Sequence, residues 1–235
     1  MNATKKLIPS LLIALGLLAI GIGINSGFKS MSSAQRTVSV RGLSEREVQA
    51  DKVTWPIVYQ IQGNDLPALY GQTSINNDKI LAFLHEAGIS DSEISINAPE
   101  AYDRASNNYS SGEYVYRYNL TQIIVVTSSQ VDKVDQLIRR QGELLKEGIA
   151  LSSDDYSNTV QYEFTGLNDI KPEMIAEATK NAREAAQKFA DDSDSKLGKI
   201  QTAHQGQFSI DDRDQYTPSI KSVRVVTTLT YFLQD

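Results

Sequence analysis

Side chains that could carry out catalysis are few and scattered in this sequence of 235 residues. His85 and His204 are the two histidines, and cysteine is absent. A metal centre or a catalytic triad needs several convergent groups, which two distant histidines do not supply. The Gly-x-Ser-x-Gly motif of serine hydrolases and the Gly-x-x-x-x-Gly-Lys motif of phosphate-binding loops are both missing. We therefore predict no catalytic residue, no cofactor and no metal site.

Two acidic clusters, residues 191–194 and 211–214, are the remaining candidates for metal binding or acid–base chemistry. Carboxylates bind Ca²⁺ in many proteins, but neither cluster has the ligand spacing of an EF-hand loop. A solvated acidic surface is the simpler interpretation of both. The alternative interpretation is catalytic: an unrecognised hydrolase that combines His204 with carboxylates such as Asp211.

Five tyrosines close together in the sequence form the main candidate for a partner or ligand surface: Tyr102, Tyr109, Tyr114, Tyr116 and Tyr118. The last three alternate, so they would share one face of a strand. Tyrosine combines an apolar ring with a polar hydroxyl group, which suits a protein or carbohydrate interface. Packing between strands at the sheet edge is the simpler interpretation. A ligand-binding module that uses the region 102–118 is kept as an alternative function.

A stripe of alanines recurs at spacings of three and four, which places it on one side of a predicted helix. Small side chains allow another element to approach closely, so the stripe either packs within the chain or forms a seam between copies. Arg183 lies beside it and is interpreted as a solvated or salt-bridged side chain. The possible seam consists of Ala178, Ala182, Arg183 and Ala186, with Ala185 and Phe189 on the same side.

The N-terminal segment predicts export. Residues 7–24 are almost entirely apolar and follow Lys5 and Lys6. As a helix they would rise about 27 Å, close to the hydrocarbon thickness of a bilayer. We expect residues 1–30 to be a signal anchor that crosses the membrane through residues 7–28, or a signal peptide cleaved near Ser32-Ser33-Ala34. Residues 31–35 then form a linker to an exported domain, residues 36–235.

The orientation of the apolar segment indicates the location of the protein, and the net charge restricts its partners. Lysines before the span favour a cytoplasmic N-terminus, which in a bacterium predicts an inner-membrane protein with its C-terminal domain in the periplasm. Cleavage would instead release that domain into the periplasm. The formal net charge is −6, and the basic residues that precede Gln35 have no acidic counterpart there, so the exported part is more acidic still. Such a surface repels phosphate backbones, and we predict no nucleic-acid partner.

Apolar periodicity predicts an α+β domain with a mixed, mainly antiparallel sheet and helices on one face, preceded by one N-terminal apolar helix. Short connections between paired strands favour the antiparallel arrangement. Pro56 lacks an N–H donor, so its strand should be bulged or at an edge there. The predicted elements are strands 37–40 and 48–62, helix 66–87, strands 93–98 and 114–127, helix 128–147, strand 159–164, helix 172–197, and strands 199–208 and 222–234.

Two stretches of this domain resemble the SIMPL-domain family over roughly residues 36–235. The first is residues 38–53, where Gly42 and Asp51 match the family pattern and Ser44 and Ala50 replace its second glycine and its proline. The second is Phe164-Thr165-Gly166-Leu167-Asn168-Asp169 followed by the Ala-rich helix 178–190. This family occurs in bacterial envelopes and in some animal signalling proteins. Its function is largely unknown, and no catalytic residues are established for it.

The resemblance implies a periplasmic or outer-membrane-associated protein. Some members are similar to a ring-forming, channel-like oligomer, and others are linked to oxidative-stress tolerance. We therefore expect an envelope protein with a structural or stress-protective role, exerted through self-association or partner binding without turnover. A homo-oligomer and an unidentified envelope partner are the expected contacts.

Overall fold

Antiparallel sheets and α-helices make up an α+β fold in the computed structural model, which describes Ile20 and residues 36–106, 115–152 and 158–234. The predicted N-terminal anchor or signal peptide lies outside these residues, apart from Ile20. The described residues divide into two compact units. The first unit contains the residues up to Leu43, Glu177–Gly206 and the residues from Val226 onward. The second unit contains Ser44–Ala176 and Gln207–Val225.

The described elements follow the predicted order of strands and helices, except that the strands Glu100–Asp103 and Ser209–Asp212 were not predicted. The strands are β1 (Thr37–Gln49), β2 (Lys52–Gly63), β3 (Ile94–Ile96), β4 (Glu100–Asp103), β5 (Tyr118–Ser128), β6 (Gln161–Glu163), β7 (Lys196–Gln205), β8 (Ser209–Asp212) and β9 (Ile220–Gln234). The helices are α1 (Leu66–Glu86), α2 (Val131–Arg140), α3 (Gly142–Lys146) and α4 (Leu167–Asp192). β1, α4 and β9 contribute residues to both units.

The second unit contains a five-stranded sheet in the order β3-β5-β2-β6, with β4 also paired to β5. β2 and β5 are antiparallel, and Ile57 faces Ile124 across the pair. Alternate residues of both strands are buried on one face, as the two-residue period of a strand requires. Helices α1, α2 and α3 cover this face with apolar side chains that include Leu84, Val134 and Leu144. Complete burial of each stabilises the fold by about 1.5–3 kcal/mol.

The boundaries of α1 follow the sequence signals. Asp65 caps the N-terminus, since its Oδ1 accepts the main-chain N–H of Ala68 at 3.3 Å. Gly88, with φ +79°, follows the C-terminus in the left-handed conformation that glycine adopts without strain. Ile75 of α1 is apolar but 52% exposed. The polar residues Thr73 and Asn76 are buried instead.

The outer edge of β2 is interrupted at Pro56, as predicted. β6 pairs with Lys52–Thr54, and beyond the gap Tyr59 forms a bridge to Leu151. Val58 accepts the main-chain N–H of Ser152 at 2.8 Å on this side. Alternate residues direct their main-chain groups to the same side, so Pro56 also faces this edge, where it has no N–H to offer.

The first unit contains the N-terminal part of β1, β7 and the C-terminal part of β9, and the sheet order is β1-β9-β7. Ala182 and Ala186 of α4 are fully buried against a cluster that includes Val40, Leu229 and Tyr231. Phe189 was predicted to lie on the same side as these alanines. It is 59% exposed, so this prediction is wrong. The Ala-rich side of α4 therefore packs within its own chain.

Several predicted boundaries were wrong because tertiary pairing overrides local signals. β1 does not end at residue 40 but continues through Gly42 to Gln49. α4 begins at Leu167, so Pro172 lies inside the helix, and it ends at Asp192, after which Leu197 belongs to β7. The predicted helix 128–147 is divided into α2 and α3 around Gln141.

Candidate ligand cleft

The predicted tyrosine surface includes Tyr109 and Tyr114, which lie outside the described residues. Tyr102 lies opposite Asn119, and Tyr118 lies opposite Asp103. Residues 102 and 103 are neighbours on β4, so the side chains of Tyr102 and Tyr118 point to opposite faces of the sheet. Tyr116 precedes β5 and is not part of the strand. The prediction of a shared strand face is therefore wrong for Tyr116.

The remaining predicted residues are also dispersed. Ala178, Ala182 and Ala186 are fully buried within the chain, and Arg183 is exposed on α4. His85 Nε2 lies 2.8 Å from Asp91 Oδ1 on the surface. His204 of β7 lies opposite Thr228 of β9, and Asp211 of β8 lies opposite Ser222 of β9. In the part of the chain that the structure describes, no group of three or more histidines and carboxylates could hold a metal ion.

Asp51 connects the two family-like stretches inside the second unit. Its carboxylate accepts the main-chain N–H of Thr165 at 2.8 Å and that of Gly166 at 2.9 Å. Hydrogen bonds from main-chain N–H groups to a carboxylate are stronger than those between neutral groups. We interpret Asp51 as a structural residue that fixes the turn before α4.

A cleft of about 420 Å³ on the helix-covered side of the five-stranded sheet is the candidate functional site. α1 contributes one wall, with Tyr70, Ser74 and Asn77 at spacings of three and four. The segment after β3 contributes the opposite wall, including Ile96 and Pro99, and Gln122 of β5 lines the cleft between them. We call this site the Gln122 cleft.

Gln122 lies on the inward face of β5, between the apolar residues Leu120 and Ile124. Its side chain is fully buried. Its Nε2 donates to the main-chain oxygens of Asn97 at 2.7 Å and Ile123 at 3.0 Å. Both partners are carbonyl groups, so they fix the orientation of the amide and direct Oε1 away from them.

The buried Oε1 of Gln122 has no hydrogen-bond partner among the described residues. A buried acceptor without a partner costs about 1–3 kcal/mol, because it loses its hydrogen bonds to water. Native proteins contain few such groups, and each requires an explanation. Gln122 Oε1 lies inside the core of the second unit and is closed to solvent.

Tyr59 supports the α1 wall from the sheet. It lies opposite Gln122 across β2 and β5, and its hydroxyl group lies 2.8 Å from Asn77 Oδ1 and 3.1 Å from the main-chain oxygen of Thr73. Burial raises the pKa of Tyr59 to about 12, so the hydroxyl group is neutral and can donate at physiological pH. No described residue bonds to Asn77 Nδ2, so this amide nitrogen can donate to a ligand.

The arrangement is suited to binding an uncharged molecule. The residues that line the Gln122 cleft include none of Asp, Glu, His, Lys or Arg. The amide group of Asn77 and the hydroxyl groups of Ser74 and Tyr70 can recognise an uncharged polar molecule.

Sequence reasoning missed this site, although a signal was present. The alternation of β5 places Gln122 on the same face as Leu120, Ile124 and Val126, so an amide in the core was foreseeable. The missing hydrogen-bond partner of Gln122 Oε1 was not foreseeable, because it depends on residues that are distant in the sequence.

The fold defines an α+β protein of two units built on antiparallel sheets. Among the described residues, no helix is long and apolar enough to cross a membrane. Residues 38–228 match the family model SIMPL, described as a protein of unknown function (DUF541), so the chain belongs to the SIMPL family. This confirms the resemblance drawn from the two sequence stretches. A comparison with curated proteins finds no match.

Proposed function

We propose that this chain is an envelope protein that binds a small uncharged polar ligand in the Gln122 cleft without chemical turnover. The observation that carries the proposal is a cleft of about 420 Å³ with an uncharged lining that includes Tyr70, Ser74 and Asn77. Binding clefts typically combine apolar walls with a few placed polar groups. The lining of the Gln122 cleft has a larger polar share, because Ile96, Ala98 and Pro99 stand beside Thr73, Ser74, Asn77, Asn97 and Gln122, and this share favours a polar ligand.

The test is a titration of the ¹⁵N-labelled full chain followed by NMR. N-methylacetamide, glucose and N-acetylglucosamine serve as uncharged probes. We expect at least one probe to shift the side-chain amide resonances of Gln122 and Asn77. The shifts should be unchanged between about pH 6 and pH 9, because the Tyr59 hydroxyl group loses its proton only near pH 12. If none of the probes moves either amide, the proposed function is wrong.

Location and assembly form a second part of the proposal. The apolar residues 7–28 support anchoring in the inner membrane, with the folded part in the periplasm. β7 supports self-association, because it lies at an edge of its sheet and its residues 199–205 are exposed. An edge strand carries main-chain groups that can pair with a second copy.

One experiment addresses both points. Cells that produce the full chain are fractionated, and the membrane fraction is solubilised and measured by light scattering. We expect the chain in the membrane fraction, with a mass that is a multiple of the monomer mass of 26.0 kDa. Intact chain in the cytosolic fraction would exclude the proposed location. A monomeric mass would exclude the proposed assembly.

A further inference from the structure

We propose that the ligand of the Gln122 cleft is a neutral saccharide, with one sugar ring stacked on Tyr70 and sugar hydroxyl groups bonded to the side chains of Asn77 and Asn97. This inference rests on the proposed function and specifies the class of ligand. It depends on three properties of the cleft: an exposed aromatic ring, an amide side chain on each wall and an uncharged lining.

Tyr70 supplies the aromatic surface for a sugar ring. It lines the cleft and is 64% exposed, so a ligand in the cleft can reach it. A pyranose carries C–H groups on its flat faces and most of its hydroxyl groups around its edge. Stacking on an aromatic ring therefore buries the apolar part of the sugar and leaves the hydroxyl groups free to form hydrogen bonds.

The α1 wall continues from Tyr70 with polar groups. Ser74 and Asn77 follow at spacings of four and three, so the three side chains lie on one side of the helix. With a rise of 1.5 Å per residue, the row is about 10 Å long, comparable with a disaccharide. The hydroxyl group of Tyr59 lies 2.8 Å from Asn77 Oδ1, which fixes this amide and leaves its Nδ2 for the ligand.

Asn97 supplies the second amide, on the opposite wall. Its main-chain oxygen accepts from Gln122 Nε2 at 2.7 Å, and its main-chain N–H donates to the oxygen of Ile123 at 3.1 Å. These bonds hold the wall against β5 before any ligand arrives, which lowers the cost of binding. The Asn97 residue is exposed, and its amide can both donate to and accept from a sugar hydroxyl group.

The uncharged lining favours neutral sugars over acidic and basic ones. A carboxylate or an ammonium group would lose hydration on entering the cleft and would find no opposite charge among the lining residues. A uronic acid and an amino sugar should therefore bind poorly. The neutral sugar with the same ring should bind better, because its hydroxyl groups meet amide and hydroxyl partners.

The test is an NMR titration of the ¹⁵N-labelled full chain in a non-glycosidic detergent, which measures dissociation constants near 1 mM, about the strength expected for an open cleft. Cellobiose carries pyranose rings, whereas sorbitol carries similar hydroxyl groups on an open chain without a flat face. We expect cellobiose to shift the side-chain amides of Asn77 and Asn97 and to bind about tenfold more tightly than sorbitol.

A second pair of probes tests the role of charge. Glucuronate differs from glucose in having a carboxylate in place of the CH₂OH group. We expect glucuronate to bind about tenfold more weakly than glucose at pH 7, because the lining offers no cation.

Three variants connect the binding to the cleft. Tyr70→Ala removes the stacking ring and should weaken cellobiose binding about tenfold, whereas Tyr70→Phe keeps the ring and should change it less than about threefold. Both variants change an exposed side chain, so the fold should be retained. Tyr216→Ala removes an 84% exposed ring outside the cleft and should leave binding unchanged.

The possible failures are distinguishable. Equal affinity for cellobiose and sorbitol would overturn the inference, and so would equal affinity for glucose and glucuronate. Amide shifts with N-methylacetamide but with none of the sugars would overturn the inference and leave the proposed function intact. No shift with any probe would contradict both. Equal effects of Tyr70→Ala and Tyr216→Ala would place the sugar outside the Gln122 cleft and overturn the inference.

Discussion

Substitution of Gly42 with alanine is expected to cost about 3 kcal/mol or more of unfolding free energy, a large part of the about 5–15 kcal/mol that stabilises a typical domain. A Cβ at this position would lie 2.9 Å from the Cα of Ala182 and still closer to the main-chain oxygen of Ala178 and the main-chain nitrogen of Ala182. Main-chain atoms cannot rotate away as a side chain can. β1 and α4 would have to separate, and the buried alanine face would lose its packing.

Urea unfolding followed by circular dichroism measures this effect, and Gly71→Ala is the matched control. Gly71 lies inside α1, and a Cβ there would meet no atom within 4 Å. Alanine favours a helix over glycine by about 0.5–1 kcal/mol, so the control should be slightly more stable than the wild type. A loss below about 1 kcal/mol for Gly42→Ala would contradict the close approach of β1 and α4.

The replacement of Asp51 by asparagine should destabilise the chain by about 2 kcal/mol, the range for hydrogen bonds to charged groups. Asparagine keeps the shape but has only one acceptor oxygen, and its NH₂ group would face a main-chain N–H of Thr165 or Gly166. We expect faster hydrogen exchange at these two amides, because the turn before α4 would open more often.

The control for this variant is Asp78→Asn, on an exposed position of α1. It removes the same charge and should change the unfolding free energy by less than about 0.5 kcal/mol. Equal losses in the two variants would show that Asp51 contributes only through net charge. Unchanged exchange at Thr165 and Gly166 would likewise argue against the structural role assigned to its carboxylate.

Local sequence signals predicted the presence and type of most elements. The cap at Asp65 and the turn at Gly88 defined α1, and the alternation of β2 identified its buried face. Inward and outward positions were less predictable on α1, where Ile75 is exposed and Asn76 is buried. A helical hydrophobic period predicts the inward face only where apolar residues face inward. α1 does not follow this rule beside the Gln122 cleft.

The family-like motifs were identified from the sequence, but their roles required the fold. Gly42 and Asp51 are separated by more than a hundred residues from the atoms they approach. The first allows close contact with Ala178 and Ala182, and the second accepts hydrogen bonds from Thr165 and Gly166. Both motifs therefore maintain tertiary structure, whereas the candidate cleft lies among residues that neither motif contains.

Pro56 has a consequence for the behaviour of the chain in a crowded compartment. Between its pairing with β6 and its bridge to Leu151, β2 has no strand partner on this side among the described residues. A passing strand would meet a pyrrolidine ring where it needs a hydrogen-bond donor, so it could not extend the sheet there. This single proline thus makes the edge less prone to the irreversible aggregation that newly synthesised β-rich proteins can undergo with other unfolded chains.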